Sequence, residues 1–328
     1  MKNKALKIIR NIVIGIFGFL FVFIIGMRIF FRVPVYNYYK ISKKAFVIPG
    51  CNSGFIAQGI SYDSADDIFY VTGYMKDSSA SPIYLVNKTS KKLIKTVFLQ
   101  KNDGSVYNDH CGGLTVYDDT VYIAGSSKCK LFGIDRQTIK NATDGSFLTF
   151  SKEISMICSD NKIGAAFATT HNGLLYSGEF YREGPYPTAA SHTVKTCDGE
   201  NHALMAGFKP VNGNMEPAVI YSIPANVQGV CFNDGKIYVS TSWGPAKSHI
   251  FIYDESKIKQ SGTYSFGEKE LPLYVLDSSS LIKNWKTAPM AEEIECVDGS
   301  FYIMSESASN KYIFGKFTGG FWCYKSNF

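Results

Sequence analysis

One pattern of hydrophobic and polar positions recurs five times along the chain after residue 50. Each copy is a short apolar segment that opens with a small or polar triplet: Gln58-Gly59-Ile60, Gly112-Gly113-Leu114, Ala165-Ala166-Phe167, Gln228-Gly229-Val230 and Glu292-Glu293-Ile294. The middle residues, at positions 59, 113, 166, 229 and 293, are separated by 54, 53, 63 and 64 residues. Repeats of this length are typical of four-stranded β-propeller blades with some long loops.

A second apolar strand follows each opening segment at a nearly fixed distance, and each of these strands contains a tyrosine. The tyrosines are Tyr70, Tyr122, Tyr176, Tyr238 and Tyr302. The turns between the two strands contain Asp, Asn or Gly, as in Asp118-Asp119 and Asn233-Asp234-Gly235, and these residues tolerate the positive φ of tight hairpins. Each copy therefore predicts a β-hairpin.

The two ends of the repeat array complement each other. The fifth copy ends after its third strand, near Phe321-Trp322-Cys323-Tyr324, whereas residues 44–49 resemble a fourth strand that precedes the first copy. Pairing of these segments would leave no unpaired sheet edge at the closure. We therefore predict an all-β, five-bladed propeller over residues 44–328. A β-sandwich is the competing fold, but it gives no reason for five hairpins in phase.

The N-terminal segment predicts a membrane helix. Residues 11–31 are almost entirely apolar and would form a helix of about 25–30 Å, close to the thickness of a bilayer core. Four basic residues precede this run, which favours a cytoplasmic N-terminus. We expect a cytoplasmic tip and transmembrane anchor over residues 1–32, a linker over 33–43, and an extracytoplasmic C-terminal domain. The alternative is a cleaved signal peptide, although no small-x-small site follows the apolar run.

Composition narrows the class of partner. The net charge is +6, but Lys2, Lys4, Lys7, Arg10, Arg28 and Arg32 all flank the apolar run. Residues 45–328 contain no basic stripe with interleaved aromatic residues, which argues against a nucleic-acid partner. The eight cysteines permit disulfides in an exported domain, and Cys111 with Cys129 and Cys51 with Cys323 are the candidate pairs.

The predicted ring places polar side chains from distant repeats at one mouth of the central channel. Innermost strands line that channel, so the polar groups at their entries converge there. The candidates for ligand binding are Gln58, His110, Gln228, Glu292, Glu293 and, on an adjacent loop, Trp243, with Asp109 and Asn226 close by. Glu293 stands where the other four copies have Gly or Ala. The competing interpretation is that these groups only hydrogen-bond loop backbone and channel water.

A second set of candidates lies at the ends of the second strands. Tyr74, Ser126, Glu179, Ser242 and Glu306 occupy equivalent repeat positions. Glu179 and Glu306 could act as an acid and base pair if their environments separated their pKa values. Alternatively, each carboxylate bonds the backbone of a neighbouring blade.

The Gln-Gly-Ile or Gln-Gly-Val opening, followed by a strand with tyrosine, resembles the propeller superfamily that includes gluconolactonase-like and YVTN-type proteins. The resemblance covers residues 45–325. For gluconolactonase-like enzymes it implies a divalent cation such as calcium, held by a Glu and by Asn or Asp side chains from different blades. Glu292 or Glu293 and Asn226 are the matching positions, and Gln58 and Gln228 could add carbonyl oxygens.

The plant-type glutaminyl cyclotransferases, a five-bladed propeller family, resemble this chain at the opening of the first repeat. Its Phe-Thr-Gln-Gly-Leu opening resembles Phe55-Ile56-Ala57-Gln58-Gly59-Ile60. The family's second strand carries an acidic residue near the tyrosine, and this chain has Val71 and Thr72 there.

Two functions are compatible with these residues. The first is a membrane-anchored extracytoplasmic propeller that binds a small molecule, glycan or peptide at the channel mouth. The second is an enzyme, either a metal-assisted hydrolase resembling lactonases or a glutaminyl-cyclotransferase-like enzyme. Nucleophile-elbow, phosphate-loop and zinc-protease motifs do not occur in the sequence.

Overall fold

A computed structural model describes residues 2–158 and 161–328, with side chains from Lys4 onward. Five antiparallel sheets stand around a central channel. The innermost strand of each sheet contacts that of the next, and the innermost strand of the fifth sheet contacts that of the first. The ring is therefore closed, and the prediction of a five-bladed β-propeller is confirmed.

The blades contain the following strands, each given from the channel outward. Blade 1 contains Phe55–Asp63, Ile68–Met75, Pro82–Asn87 and Leu93–Gln100. Blade 2 contains Cys111–Tyr117, Thr120–Gly125, Lys130–Asp135 and Lys152–Ser155. Blade 3 contains Phe167–His171, Leu174–Gly178, Ala203–Val211 and Asn214–Ile223. Blade 4 contains Val227–Asn233, Lys236–Thr241, Ser248–Asp254 and Leu281–Thr287. Blade 5 contains Ala291–Val297, Ser300–Ser305, Trp322–Ser326 and Ser42–Val47.

Both ends of the propeller domain meet in blade 5. Strand Ser42–Val47 pairs antiparallel with Trp322–Ser326, and Phe46 lies opposite Cys323. The last blade thus takes its outermost strand from the beginning of the domain, as the complementary ends predict.

Insertions explain the uneven repeat spacing. Blade 4 inserts a hairpin, Gln260–Phe266 and Lys269–Val275, which pairs in parallel with the outer strand of blade 3. Strand Phe147–Thr149 likewise pairs in parallel with the outer strand of blade 1. Two short ribbons complete the strands: Ile157–Cys158 with Asn161–Lys162, and Val194–Thr196 with Gly199–Asn201.

The repeated residues have the structural roles that their patterns predict. The second-strand tyrosines are all buried between blades: Tyr70, Tyr122, Tyr176, Tyr238 and Tyr302. The hairpin residues Asp118, Asn172, Asp234 and Asp298 all have φ near +50°, a conformation that Asn and Asp adopt more readily than other residues with a Cβ.

Helices occupy the N-terminus and a few loops. The N-terminal helix, Lys2–Arg32, exposes most of its large apolar side chains and is long and apolar enough to cross a membrane. The predicted linker, 33–43, holds the 3-10 turn Val33–Val35, the helix Tyr36–Ile41 and the start of the closing strand. Short helices elsewhere are Arg136–Asn141 and Gly315–Thr318, with 3-10 turns at Cys51–Ser53, Ser126–Lys128, Ala190–His192, Glu255–Lys257 and Glu306–Ala308.

All eight cysteines are free thiols. The candidate pairs Cys111 with Cys129 and Cys51 with Cys323 are therefore not formed. Cys323 lies fully buried in the blade 5 strand next to the closure, and Cys111 lies fully buried in the innermost strand of blade 2. Their burial gives these residues a packing role like that of small apolar side chains.

Candidate functional site

A cavity of about 1230 Å³ opens at the mouth of the channel. Seven of the eight predicted site residues line it: Gln58, His110, Glu179, Gln228, Trp243, Glu292 and Glu306. The eighth, Glu293, lies outside its lining. The ring therefore brings together residues that are up to 248 positions apart in the sequence, from Gln58 to Glu306.

β-Bulges position four of the eight predicted side chains. Strand pairing slips between Ala57 and Gly59, between Val227 and Gly229, and between Ala291 and Ile294. The extra residues in these intervals are Gln58, Gln228, Glu292 and Glu293. A bulge leaves a residue outside the ladder and re-aims its side chain, so the opening triplets are the points where the innermost strands present polar groups.

The acidic corner of the cavity consists of Glu292, Glu306, Tyr74 and Tyr312. Tyr74 and Tyr312 each donate a hydroxyl hydrogen bond to Glu306 Oε1, at 3.1 and 3.0 Å. Glu292 is only 1% exposed, and its Oε2 has no hydrogen-bond partner among the described residues. A buried carboxyl oxygen without a partner is costly, and a ligand that supplied one would remove that cost.

Burial and mutual repulsion favour the protonated forms in this corner. Burial raises the pKa of Glu292 well above its ordinary value, and the charges of Glu306 and Glu293 add to the rise. Burial also raises the pKa of Glu306, although hydrogen bonds from Tyr312 and Tyr74 and the charge of Lys311 oppose it. A neutral carboxyl can donate as well as accept a hydrogen bond.

His110 and Lys311 border the acidic corner through Tyr74. The imidazole of His110 stacks on the Tyr74 ring, with centroids 3.8 Å apart and planes 23° apart. Lys311 Nζ donates to the Tyr74 hydroxyl at 3.0 Å. Desolvation lowers the pKa of His110, and the charge of Lys311 lowers it further, which favours the neutral imidazole at the cavity wall.

The other carboxyl in the cavity wall, that of Glu179, has hydrogen-bond partners on both of its oxygens. Glu179 is 4% exposed and accepts backbone N–H groups from Gly164 and Leu204, at 3.3 and 2.9 Å. The fully buried His192 places Nδ1 at 2.9 Å from Glu179 Oε2, and its Nε2 lies 2.9 Å from Asn161 Oδ1. An imidazolium would donate to both oxygens, and a neutral ring would require the Asn161 amide to be turned.

Next to this carboxylate lies an aromatic wall, formed by Phe180, Tyr186 and Trp243. The ring centroids of Phe180 and Tyr186 are 5.4 Å apart, and those of Tyr186 and Trp243 are 5.7 Å apart. The Arg182 guanidinium lies 4.5 Å from the centroid of the Trp243 ring. Trp243 nevertheless remains 39% exposed, so the wall still offers an aromatic surface to a ligand.

Glu293 lies inside the channel, where its carboxyl bridges several blades. We call this side chain and the backbone N–H groups that it accepts the channel plug. Its carboxylate accepts the backbone N–H groups of Ile60, Leu114 and Ala168 at 2.8, 3.0 and 3.1 Å, one from each of blades 1, 2 and 3. A Cβ built at Gly113 would collide with Glu293 Oε1. The small residues at the other marker positions thus leave room for one large side chain.

The predicted cation is not supported by these residues. Among residues 2–158 and 161–328, no group of three or more His, Cys, Asp or Glu side chains could hold a metal ion. Asn226 Oδ1 lies 3.4 Å from Arg182 Nη1, and Glu293 accepts three backbone N–H groups. Asn226 and Glu293 are therefore engaged with other groups, and the cation remains a prediction.

Several residues of the site have no counterpart among the sequence-based candidates. Lys311 and Tyr312 belong to an irregular segment after blade 5's second strand, and Tyr186 and His192 belong to a long insertion in blade 3. Neither segment repeats in other blades, so the periodicity that identifies the other residues contains no signal for these. Tyr74 and Glu306 are among the equivalent strand-end residues predicted from the sequence, but that prediction pairs Glu306 with Glu179 and not with Glu292.

Comparisons with known proteins assign the chain to no family. No family model matches the chain, and no curated protein matches it. Among solved structures, the glutaminyl cyclase of Myxococcus xanthus has 9% identity and a TM-score of 0.43, covering 87% of this chain and 94% of that one. Hydrazine synthase of Kuenenia stuttgartiensis has 12% identity and a TM-score of 0.41, covering 77% and 82%. BamB of Moraxella catarrhalis has 8% identity and a TM-score of 0.34, covering 77% and 83%.

Proposed function

We propose that this protein is a membrane-anchored, extracytoplasmic binding propeller that holds a small molecule, glycan or peptide in the channel-mouth cavity. The polar end of the ligand would bind at the acidic corner, and a ring or apolar part would lie against the aromatic wall. The observation that carries this proposal is the buried Glu292 oxygen, which has no hydrogen-bond partner among the described residues and belongs to the lining of a cavity of about 1230 Å³. Ligand sites commonly have volumes of about 300–1,000 Å³, so this cavity is large enough for a small molecule.

Two features of the N-terminal region support the membrane placement. Seventeen residues, 11–27, separate Arg10 from Arg28 and carry no charge. The four basic residues before this run favour a cytoplasmic N-terminus and hence an exported propeller. Alkaline phosphatase fused after Phe328 and expressed in bacteria tests this orientation, because the enzyme is active only outside the cytoplasm. The opposite orientation would follow if the phosphatase fusion were inactive and a green fluorescent protein fused at the same position were fluorescent.

Ligand binding can be tested with the full chain in detergent. We would measure the thermal midpoint and tryptophan fluorescence against defined probes: aromatic amines, N-acetylated sugars and dipeptides. A ligand raises the midpoint of the state it binds. We expect at least one class to raise the midpoint of the wild type and of Glu268→Gln, an exposed control, but not of Glu292→Gln or Trp243→Ala. Shifts that survive both cavity variants, or no shift with any probe, would contradict the proposal.

An enzyme is the second candidate, and the raised pKa values of Glu292 and Glu306 favour it. A carboxyl that stays protonated near neutral pH can act as a general acid, while its neighbour acts as a base. Turnover of a lactone or of a peptide with N-terminal glutamine by the wild type, abolished in Glu292→Gln, would replace the binding function with catalysis. Glu292→Gln is the informative variant because Glu293 is held by the backbone.

A further inference from the structure

The rim of the cavity continues into an apolar segment that touches the N-terminal helix. This rim segment, residues 311–318, follows the Glu306–Ala308 turn of blade 5 and includes the short helix Gly315–Thr318. Ile313 is 79% exposed, the largest exposed fraction among the exposed large hydrophobic residues. Lys311 and Lys316 on either side are also exposed. A single exposed apolar side chain is normal on a protein surface, so the contacts of the neighbouring aromatic residues decide what this segment faces.

Two aromatic contacts join the rim segment to the helix. Phe314 stacks on Phe31, with centroids 5.6 Å apart and planes 22° apart. Phe317 meets Phe23 edge to face, with centroids 6.1 Å apart. The rim segment therefore runs along the helix between the levels of Phe31 and Phe23, and both lie on the side of the propeller where the cavity opens.

The level of Phe23 sets the depth of this contact in a bilayer. From Arg10 to Arg28 the helix rises about 27 Å, close to the thickness of a hydrocarbon core of about 30 Å. Arg28 then lies near one membrane surface, and Phe23, five residues before it, lies about 7.5 Å deeper. A ring packed on Phe23 is thus at the depth of the acyl chains. Phe21 and Phe30 are also exposed, on other faces of the same helix.

We propose that the rim segment inserts into the bilayer surface and that its partner is the phospholipid itself. Ile313 and Phe317 enter the acyl region, and Lys316 extends to the phosphate level, as long basic side chains do at interfaces, while Lys311 stays hydrogen-bonded to Tyr74 in the cavity wall. The cavity, whose wall includes Lys311 and Tyr312, is then held at the membrane surface. This inference rests on the membrane anchoring proposed above and adds a second attachment to it.

The experiment places a tryptophan at Ile313 in the full chain reconstituted into phosphatidylcholine nanodiscs with or without brominated acyl chains. Bromine quenches tryptophan only on contact. After subtraction of the wild-type signal from Trp243, Trp285 and Trp322, we expect Ile313→Trp to emit at shorter wavelength and to lose most of its added emission in brominated discs. Ile313 is exposed, so the substitution leaves the packed blades untouched.

Two matched variants define the limits. Phe21 is 66% exposed within the apolar run, and Phe21→Trp should be quenched strongly. Ile282 is 48% exposed near the start of the outer strand of blade 4, and Ile282→Trp should not be quenched. If Ile313→Trp behaves like Ile282→Trp, the rim does not enter the bilayer. A blue shift without lipid quenching would assign the surface to a second copy of the chain. An unquenched Phe21→Trp would overturn the anchoring itself, and the rim proposal with it.

Discussion

Glu292 and Glu293 are neighbours in one strand, yet they lie in two regions of opposite character. In the channel plug, the Glu293 carboxylate accepts three backbone N–H groups from three blades. In the acidic corner, Glu292 Oε2 has no partner among the described residues, and Glu306 adds a second carboxyl nearby. Both side chains are 1% exposed, so burial alone does not separate their roles.

The difference lies in the hydrogen bonds. Three backbone N–H groups from different blades bond the Glu293 carboxyl and hold the blades together, and they oppose the rise in its pKa that burial causes. An unpartnered oxygen at Glu292 weakens the fold unless something else binds there. Glu179 supports this distinction from the other side of the cavity. It lines the same space, but His192 and two backbone N–H groups already occupy its oxygens. We therefore interpret Glu179 and Glu293 as structural, and in the proposed function Glu292 is the carboxyl that binds the ligand.

The largest effect is expected for Glu293→Ala. Removing the carboxylate leaves the N–H groups of Ile60, Leu114 and Ala168 buried without an acceptor, and each such group costs about 1–3 kcal/mol. We expect the free energy of unfolding in urea to fall by about 3–5 kcal/mol. Glu292→Gln is the matched control and should lower it by less than about 1 kcal/mol. Equal losses of unfolding free energy in the two variants would contradict the proposed difference between Glu293 and Glu292.

A smaller loss of stability is expected for His192→Ala. The variant removes the ring that partners Glu179 and leaves a small cavity, but the N–H groups of Gly164 and Leu204 remain bonded to the carboxylate. We expect a loss of about 2–3 kcal/mol in urea unfolding. His249→Ala, at a partly exposed histidine, should cost less than about 1 kcal/mol. A near-neutral His192→Ala would mean that Glu179 does not depend on this partner.

The pH dependence of stability sharpens the comparison further. The pKa of Glu292 is raised in the folded protein, so the folded state binds more protons than the unfolded state above the unfolded pKa of about 4.3. Stability must therefore fall as the pH rises from about 4.3 toward the raised pKa. Glu292→Gln should remove this part of the fall, so the variant gains stability relative to the wild type between acid and neutral pH.

Urea unfolding of both proteins across this pH range would measure the effect. Glu268→Gln, at an exposed position, should follow the wild type. A difference between Glu292→Gln and the wild type that does not change with pH would show that Glu292 titrates normally. The nearest charges to consider in that case are Glu293 and Glu306, which both act on Glu292.

The smallest effect on stability is expected at the aromatic wall. Trp243 is 39% exposed, and its contacts are to Phe180, Tyr186 and Arg182. Trp243→Ala should change the free energy of unfolding by at most about 1 kcal/mol, measured in urea against the wild type. A loss as large as that of His192→Ala would make Trp243 part of the fold rather than a surface for a ligand.

The sequence predicts those features of the site that depend on repetition. The opening triplets, the second-strand tyrosines and the equivalent positions of Tyr74 and Glu306 follow from periodicity, because each blade must bury the same faces against its neighbours. Periodicity does not distinguish Glu292 from Glu293. Both belong to one triplet, and a one-residue register shift at a bulge decides which carboxyl enters the channel and which faces the cavity.

The amino-acid sequence by itself determined the five hairpins, the closing strand and the apolar N-terminal helix, because these depend on local alternation of apolar and polar residues and on turn chemistry. Tertiary structure alone decided which polar groups gain partners. The His192 contact with Glu179, the three N–H bonds to Glu293 and the packing of Phe317 on Phe23 each join segments from different parts of the fold. Such contacts depend on distances between blades and on irregular loops, which have no periodic signal in the chain.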